Sequence, residues 1–373
     1  MRIALIGTRG VPAHYGGFET CVEEMGSRLA ARGHIVTVFC RPAHDVEPSE
    51  PMPTSFRGMR LVHLPIIRRR SMETLWHTTL SVLSASLRHT DAAVVFNSAN
   101  APLLPVLRAR RIPTATHVDG LEWMRAKWGW AGRGYYRVAE LLAVRWSNAI
   151  IADAQGISDY YRARFGAAST LIAYGAQITD ADDTDRVEEL DLSSGKYHLV
   201  VARFERENHV LEIIRGYEQS DAELPLVVVG SAPYADDYTA EVKAAASSRT
   251  RLLGAVWDQQ QLDQLYRHAL TYVHGHSVGG TNPSLLRAAG AGTFPVAYDV
   301  QFNREVVGAN AAYFSTPGDV ARELVAAEAD PARTQDQGER LQQAIARYNW
   351  DDVTDLYEEL CRRLSTGEQL RTR

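Results

Sequence analysis

Short runs of β-branched and aliphatic residues alternate with amphipathic stretches along this chain, stop at an acidic segment, and then begin again. In the first half the strand candidates are "RIALIGT" (2–8), "HIVTVFC" (34–40), "LVHLPII" (61–67), "AAVVFNS" (92–98), "PTATHVD" (113–119), "AIIAD" (149–153) and "STLIAYG" (169–175). Strands separated by helix-length stretches predict parallel sheets assembled from βαβ units. Residues 176–196, "AQITDADDTDRVEELDLSSGK", are acidic and nearly free of large apolar side chains, the composition of a solvated linker. The pattern restarts with "YHLVVARF" (197–204), "LPLVVVGSA" (224–232), "RLLGAV" (251–256), "LTYVHGH" (270–276), "FPVAYDV" (294–300) and "AAYFS" (311–315). The expected fold is α/β: two doubly wound domains, 1–180 and 181–350, with a ligand in the cleft between them at the carboxyl ends of the strands.

The loop after the first strand candidate, "GTRGVPAHYGGFET" (7–20), is rich in glycine. Dinucleotide binding requires G-x-G-x-x-G and an acidic residue about 20 positions on. Here the spacing is Gly7-x-x-Gly10 and the second strand ends at Cys40 and Arg41, which argues against a nicotinamide cofactor. Gly16 and Gly17 instead precede an amphipathic helix whose N-terminal N–H groups attract an anion such as a phosphate. The same glycines also suit a bare turn.

A second loop of this kind lies in the other half. "YVHGHSVGGTNPSLL" places Gly279, Gly280, Thr281, Asn282 and Ser284 after a strand, with Asn282 suited to cap a helix and Pro283 to its first turn. Arg203 ends the strand "YHLVVARF", where a guanidinium can grip a diphosphate with two bonds, or pair at the surface with Glu205 or Glu207.

Composition narrows the classes further. Three scattered cysteines, Cys21, Cys40 and Cys361, offer neither a disulfide framework nor a zinc site, and fit a reducing compartment. The start "MRIALIG" lacks the features of a signal peptide, and no apolar run reaches the roughly 20 residues needed to span a bilayer. The expected location is cytoplasmic, with peripheral contact at the inner face of a membrane. Residues 1–180 carry 21 Lys and Arg against 14 Asp and Glu, whereas residues 181–373 carry 19 against 31, so a cationic first half opposes an anionic second half. Such asymmetry suits a membrane surface or an anionic substrate, or reflects unselected surface drift.

Taken together, "GTRGVPAHYGGFET", "HVDGLEW" (117–123), "ARFERENH" (202–209) and "HGHSVGGTNPSLL" (274–286) resemble the retaining GT-B glycosyltransferases of family 4. Within them the chain is most similar to the bacterial rhamnosyltransferase-like subgroup of surface polysaccharide synthesis. The resemblance implies two Rossmann-like domains facing each other across a cleft, an N-terminal acceptor domain and a C-terminal donor domain, with a last helix (351–373) packing back on the first. By resemblance, His117 takes the place of the family histidine near the transferring sugar, with Asp119 beside it. Gly16 and Gly17 approach the donor diphosphate, and Arg203 is the strand-end arginine of the second domain. The loop of Gly279, Gly280, Thr281, Asn282 and Ser284 completes the donor site.

Two positions depart from the family pattern. Asn208 stands where a lysine is usual, which removes a charge from the phosphate clamp. Gly279 and Arg287 stand where the family has the glutamates of its Glu-x7-Glu motif, which removes the carboxylate that holds the nucleotide ribose in that family. A guanidinium donates hydrogen bonds but cannot accept them, so Arg287 either strengthens the diphosphate site or is held by a carboxylate such as Glu305.

On the acceptor side, "LEWMRAKWGWAGRGYYR" (121–137) interleaves Trp123, Trp128, Trp130, Tyr135 and Tyr136 with Arg125, Lys127, Arg133 and Arg137. Aromatic residues mixed with cations suit a bilayer interface or a lipid-diphosphate acceptor; a core of tryptophans under a solvated cationic face would read the same way. "RRRSMETLWHTTL" (68–80) extends the basic character. Nucleic acid is not an expected partner. The expected activity is metal-independent, cofactor-free transfer of a hexosyl or deoxyhexosyl group, rhamnosyl by resemblance, from a nucleotide diphosphate sugar to a polyprenyl-linked or oligosaccharide acceptor. The alternatives are a nucleotide-sugar 2-epimerase and a non-catalytic sugar-nucleotide or glycan-binding subunit.

Overall fold

The apolar runs become strands where both of their faces can be covered. A computed structural model describes residues 1–13, 16–42, 52–67, 73–118, 120–179, 182–231 and 236–368. Its first sheet holds β1 (Arg2–Ile6), β2 (Ile35–Cys40), β3 (Ser55–Phe56), β4 (Met59–His63), β5 (Ala92–Phe96), β6 (Thr114–His117), β7 (Ala149–Ala152) and β8 (Thr170–Leu171), in the order β3-β4-β2-β1-β5-β6-β7-β8. Every pairing is parallel except β3 with β4. Every residue of β5, β6 and β7 is buried, as a parallel sheet covered by helices on both faces requires. The helices of this half are α1 (Gly17–Ala31), α2 (Glu73–Leu83), α3 (Leu104–Ala109), α4 (Trp130–Trp146) and α5 (Gln155–Phe165).

The second sheet contains β9 (His198–Val201), β10 (Leu226–Val229), β11 (Thr250–Gly254), β12 (Thr271–His274), β13 (Phe294–Tyr298) and β14 (Ala312–Phe314), all parallel, in the order β11-β10-β9-β12-β13-β14. Around it lie α6 (Asp185–Glu188), α7 (Val210–Glu218), α8 (Asp236–Ala245), α9 (Gln259–Arg267), α10 (Pro283–Gly290), α11 (Gln301–Val307), α12 (Pro317–Ala329) and α13 (Pro331–Ile345). The chain divides into two compact units, Met1–Tyr174 with Trp350–Arg373, and Gly175–Asn349. The last helix, α14 (Trp350–Ser365), therefore belongs to the first unit. Its buried stripe of Val353, Tyr357, Leu360, Cys361 and Leu364 has helical spacing. Arg32 pairs with Asp355 at 2.6 Å and Glu358 at 2.7 Å, and Arg28 with Asp351 at 3.1 Å, which ties α14 to α1.

The expectation of a solvated linker over 176–196 is corrected. Val187 on α6 and Leu192 are buried, and the Arg251 guanidinium donates to the carbonyls of Leu190 and Asp191, so residues 187–192 of this stretch pack on the second unit. The two apolar anchors and these polar ties are too few and too scattered to appear in a composition averaged over the segment. The strand expected at 169–175 shrinks to Thr170–Leu171, and the β3–β4 hairpin was too short to leave a periodic signal.

In both sheets the strand order reverses beside one strand: β1 lies between β2 and β5, and β9 between β10 and β12. Chain leaving the carboxyl ends of strands at such a switch point diverges to opposite faces and opens a crevice, the usual ligand position of an open α/β sheet. The loops that begin at Gly7, Ala202 and Gly275 all start there.

Candidate functional site

In the first unit, the loop after β1 is strapped to the start of α1 by two carboxylates. Glu19 accepts from the N–H of Arg9 at 3.0 Å, and Glu23 accepts from the N–H of Ala13 at 2.7 Å. Gly16 occupies the N-cap of α1 with φ of 115°, a conformation that glycine tolerates and side chains resist. The Glu19 carboxylate lies against Gly16, where a Cβ would strike it. The positive end of α1 expected to receive a phosphate next to Gly16 and Gly17 thus already faces a carboxylate of its own first turn.

His117 closes β6 and is wholly buried. The rings of Phe18, Phe96 and Tyr174 surround it, with centroids at 5.1, 5.4 and 5.8 Å. Its Nδ1 lies 2.8 Å from the hydroxyl of Tyr357 on α14. Burial lowers its pKa to about 3, so the imidazole is neutral at physiological pH. Its Nε2 has no hydrogen-bond partner among the described residues. A neutral, enclosed imidazole suits hydrogen bonding rather than ferrying protons between solvent and substrate. Neither Tyr357 nor its role was legible in the sequence, because α14 meets β6 only in the folded chain. Asp119 lies outside the described residues, as do residues 68–72 of the basic stretch.

The segment 121–137 is less of a cationic surface than its sequence implies. Arg125 is buried and pairs with the buried Glu122 at 2.8 Å, Lys127 approaches the same carboxylate at 3.9 Å, and the indole N–H of Trp128 donates to it at 3.2 Å. Trp128 also stacks on Tyr136 at 5.1 Å, and Arg137 covers Trp123 at 4.5 Å. Arg125 is therefore buried in a small cluster around Glu122 rather than placed on an open acceptor or membrane surface, and the half-buried Trp128 joins that cluster through its indole N–H. Arg133 remains exposed. So does Trp130, with 90% of its surface open, followed on the same face of α4 by Val138 and Leu141 at 55% and 53%.

In the second unit, Arg203 follows β9 with 46% of its side chain exposed and Glu205 at 3.7 Å. Its carbonyl accepts from Nδ2 of Asn208 at 2.8 Å, and Oδ1 of Asn208 lies 2.6 Å from Nδ1 of His276. An amide oxygen only accepts, so His276 carries a proton on Nδ1. Ser277 donates its N–H to the carbonyl of Glu207 at 2.9 Å, and His209 donates through Nδ1 to the carbonyl of Gly275 at 2.8 Å. The loops after β9 and β12 are stitched together by these bonds. Asn208 is buried with both ends of its amide engaged, so it does not stand in for a phosphate-clamping lysine; it holds the backbone of Arg203.

The loop after β12 then turns through Gly279, whose φ is 148° and whose Cβ would lie 2.9 Å from Nε2 of His276. Gly280 follows, and Thr281 is buried. Asn282 caps α10 by accepting from the N–H of Ser284 at 2.9 Å, with Pro283 at the first helical position. Pro283 has no N–H and that of Ser284 is taken, so the first turn offers fewer free donors to an anion than a bare helix terminus.

Arg287 is committed elsewhere. It pairs with Asp263 of α9 at 2.8 Å and donates to Oε1 and the carbonyl of Gln259 at 3.0 and 3.1 Å, with Tyr266 beneath the guanidinium at 5.6 Å. The partner is Asp263 rather than Glu305, so the guanidinium ties α10 to α9. A cavity of about 540 Å³ in the same unit is lined by Asp182, Asp183, Thr184, Asp185, Glu188 and Gln260, a carboxylate-rich wall unsuited to a diphosphate. Among the described residues no group of three or more His, Cys, Asp or Glu side chains could hold a metal ion, and no helix is long and apolar enough to cross a membrane.

Two family models match the chain: Glycosyltransferase Family 4 over residues 15–175 and Glycosyl transferases group 1 over residues 182–344. No curated protein matches it by sequence. Among solved structures, it resembles a sucrose-phosphate synthase from Thermosynechococcus elongatus with a TM-score of 0.84 and 19% identity, over 98% of this chain and 99% of the other. It resembles Anabaena HepE in complex with UDP-glucose at 0.75 and 16%, over 96% and 99%. An α,α-trehalose-phosphate synthase from Burkholderia xenovorans in complex with glucose-6-phosphate is similar at 0.75 and 11%, over 97% and 100%. At these identities the likeness is one of fold, and that fold is GT-B.

Proposed function

Because the chain is built from a family 4 and a group 1 glycosyltransferase domain, we propose that it moves a hexosyl or deoxyhexosyl group from a nucleotide diphosphate sugar to a hydroxyl of a polyprenyl-linked or oligosaccharide acceptor, with retention and without a metal. The observation that carries this proposal is the second switch point. There an exposed Arg203, its backbone held by Asn208, follows β9, while the glycine turn of Gly279 and Gly280 follows the neighbouring β12. Departure of a nucleotide diphosphate concentrates negative charge, and a preorganised guanidinium with backbone donors lowers the barrier without covalent machinery. HepE, of the same fold, binds UDP-glucose. The choice of rhamnosyl rests on the sequence motifs alone.

The outer face of α4 supports a lipid-linked acceptor. Trp130, Val138 and Leu141 are exposed beside Arg133, Arg137 and Arg145, and the only acidic residue of this helix, Glu140, is buried. An apolar stripe flanked by arginines without an exposed carboxylate complements an anionic bilayer surface. The test is nucleotide diphosphate release from labelled UDP-, dTDP- and GDP-sugars, with a polyprenyl-diphosphate-linked sugar presented in anionic vesicles or in detergent. Acceptor-dependent release with an axial product linkage from an axial donor is expected. Vesicles should accelerate the wild type and not Trp130→Ala. Epimerised donor, or binding without turnover for every donor, would replace the proposal with one of the two alternatives.

A further inference from the structure

Charge is divided unevenly between the two units, with 25 Lys and Arg against 19 Asp and Glu in the first and 15 against 26 in the second. Part of the cationic excess gathers at the amino ends of β5 and β6. These strands are neighbours, with Ala93 paired to Thr114, so the segments that lead into them lie side by side. Arg88 and His89 precede β5, Arg108 and Arg111 precede β6, and all four are exposed. Arg110 ties the segments together by donating to the carbonyls of Val82 and Ser84 at 2.8 and 3.0 Å, and Leu83 between them is 61% exposed. Residues 83–91 and 104–113 contain one carboxylate, Asp91, which accepts from the N–H of Arg2 at 2.7 Å. The guanidinium groups of Arg88, Arg108 and Arg111 meet no carboxylate among the described residues.

The complement lies in the second unit. Residues 182–191 carry six carboxylates and one arginine. Arg186 engages Asp185 and Glu189, and Arg267 engages Asp182, yet all three carboxylates remain largely exposed. Asp182, Asp183, Asp185 and Glu188 line the cavity of about 540 Å³ together with Gln260 of α9. Trp257, three positions before Gln260, is 57% exposed. No three acidic side chains among the described residues could converge on a metal ion. The groove therefore suits cations spread over a surface rather than one compact ion, and guanidinium groups are such cations.

We propose that the face of Arg88, Arg108 and Arg111 on one copy docks on the Asp182–Glu188 groove of a second copy, with Leu83 and Trp257 as the apolar anchors of the contact. Both faces are open in the single chain, and each carries the charge that the other lacks. Tryptophan and arginine carry much of the binding energy at protein interfaces, and a guanidinium over an indole adds a cation–π attraction. An anionic bilayer would engage the cationic face alone and leave the acidic groove and Trp257 without a role. Because two different surfaces meet, each pair keeps one free face of each kind, and assembly continues to a closed ring or an open chain. The contact is independent of sugar transfer, and salt loosens it because its charges are exposed.

The test is sedimentation velocity of the full chain at about 50 and about 500 mM salt. The wild type should sediment as species larger than a monomer at the lower salt and as a monomer at the higher; a monomer at both overturns the proposal. Arg88→Glu combined with Arg108→Glu should be monomeric at low salt, and so should Asp182→Arg combined with Asp183→Arg. An equimolar mixture of the two variants should assemble again, because each reversed face then meets its complement. A mixture that stays monomeric, or either variant assembling like the wild type, refutes the pairing. If a charge-reversed variant does not fold, Leu83→Ser and Trp257→Ala serve instead, and each should weaken association by about tenfold or more. Unchanged association in both removes the anchors and with them the contact. A wild type that is monomeric at low salt but binds anionic vesicles, with binding lost in the arginine variant, would give the cationic face to a bilayer and overturn self-association.

Discussion

Arg287 is the position at which the structure departs furthest from what its place in the sequence suggests, and its replacement separates two roles. In the folded chain its guanidinium meets Asp263 at 2.8 Å and Gln259 at 3.0 and 3.1 Å, and about a quarter of each charged side chain is exposed. A partly exposed pair contributes about 1 kcal/mol, and two further bonds to a charged donor add about as much net. Arg287→Ala should therefore lower the stability of the second unit by about 2 kcal/mol in urea denaturation and leave nucleotide diphosphate affinity unchanged in calorimetry. Arg287→Glu, which restores the acidic residue usual in the family, should cost about 1 kcal/mol more by placing like charges together. Adding Asp263→Arg should recover about 1 kcal/mol of that loss as a coupling energy in a double-mutant cycle. A wild-type denaturation midpoint for Arg287→Ala, with nucleotide binding weakened tenfold or more, would refute the structural tie and return Arg287 to the donor site.

Two further expectations concern buried groups. Asn208→Ala removes the bond to the Arg203 carbonyl and the partner of His276. It should cost about 2 kcal/mol of stability and, by freeing the Arg203 backbone, weaken nucleotide diphosphate binding; calorimetry with intact affinity would dissociate the brace from the site. Glu140 has its pKa raised to about 7, chiefly by burial and against the bond from Tyr160. Because the folded carboxyl holds its proton more tightly than the unfolded one, stability should fall as pH rises from about 4.5 to 7 and stay low above that. Glu140→Gln should raise the melting temperature at pH 8 but not at pH 4.5, and an equal change at both would rule out ionisation as the cause.

What the sequence alone determined is periodic or local. Apolar runs at strand length, spaced by amphipathic stretches, specify parallel βαβ units, because each run must be buried on both faces. Asn282 followed by Pro283 specifies a helix start, because cap and ring act within one turn. The loops at Gly7, Arg203 and Gly275 could be assigned to strand ends for the same reason. The partners of charged and polar side chains were decided only by the tertiary structure. Arg125 turned inward to Glu122, three positions away, Arg287 found Asp263 across two helices, Asn208 braced Arg203 and His276, and His117 met a tyrosine from the end of the chain. A long polar side chain has several candidate partners within its reach, and packing selects among them. Hydrophobic period records which face of an element is covered, but not which distant residue covers it.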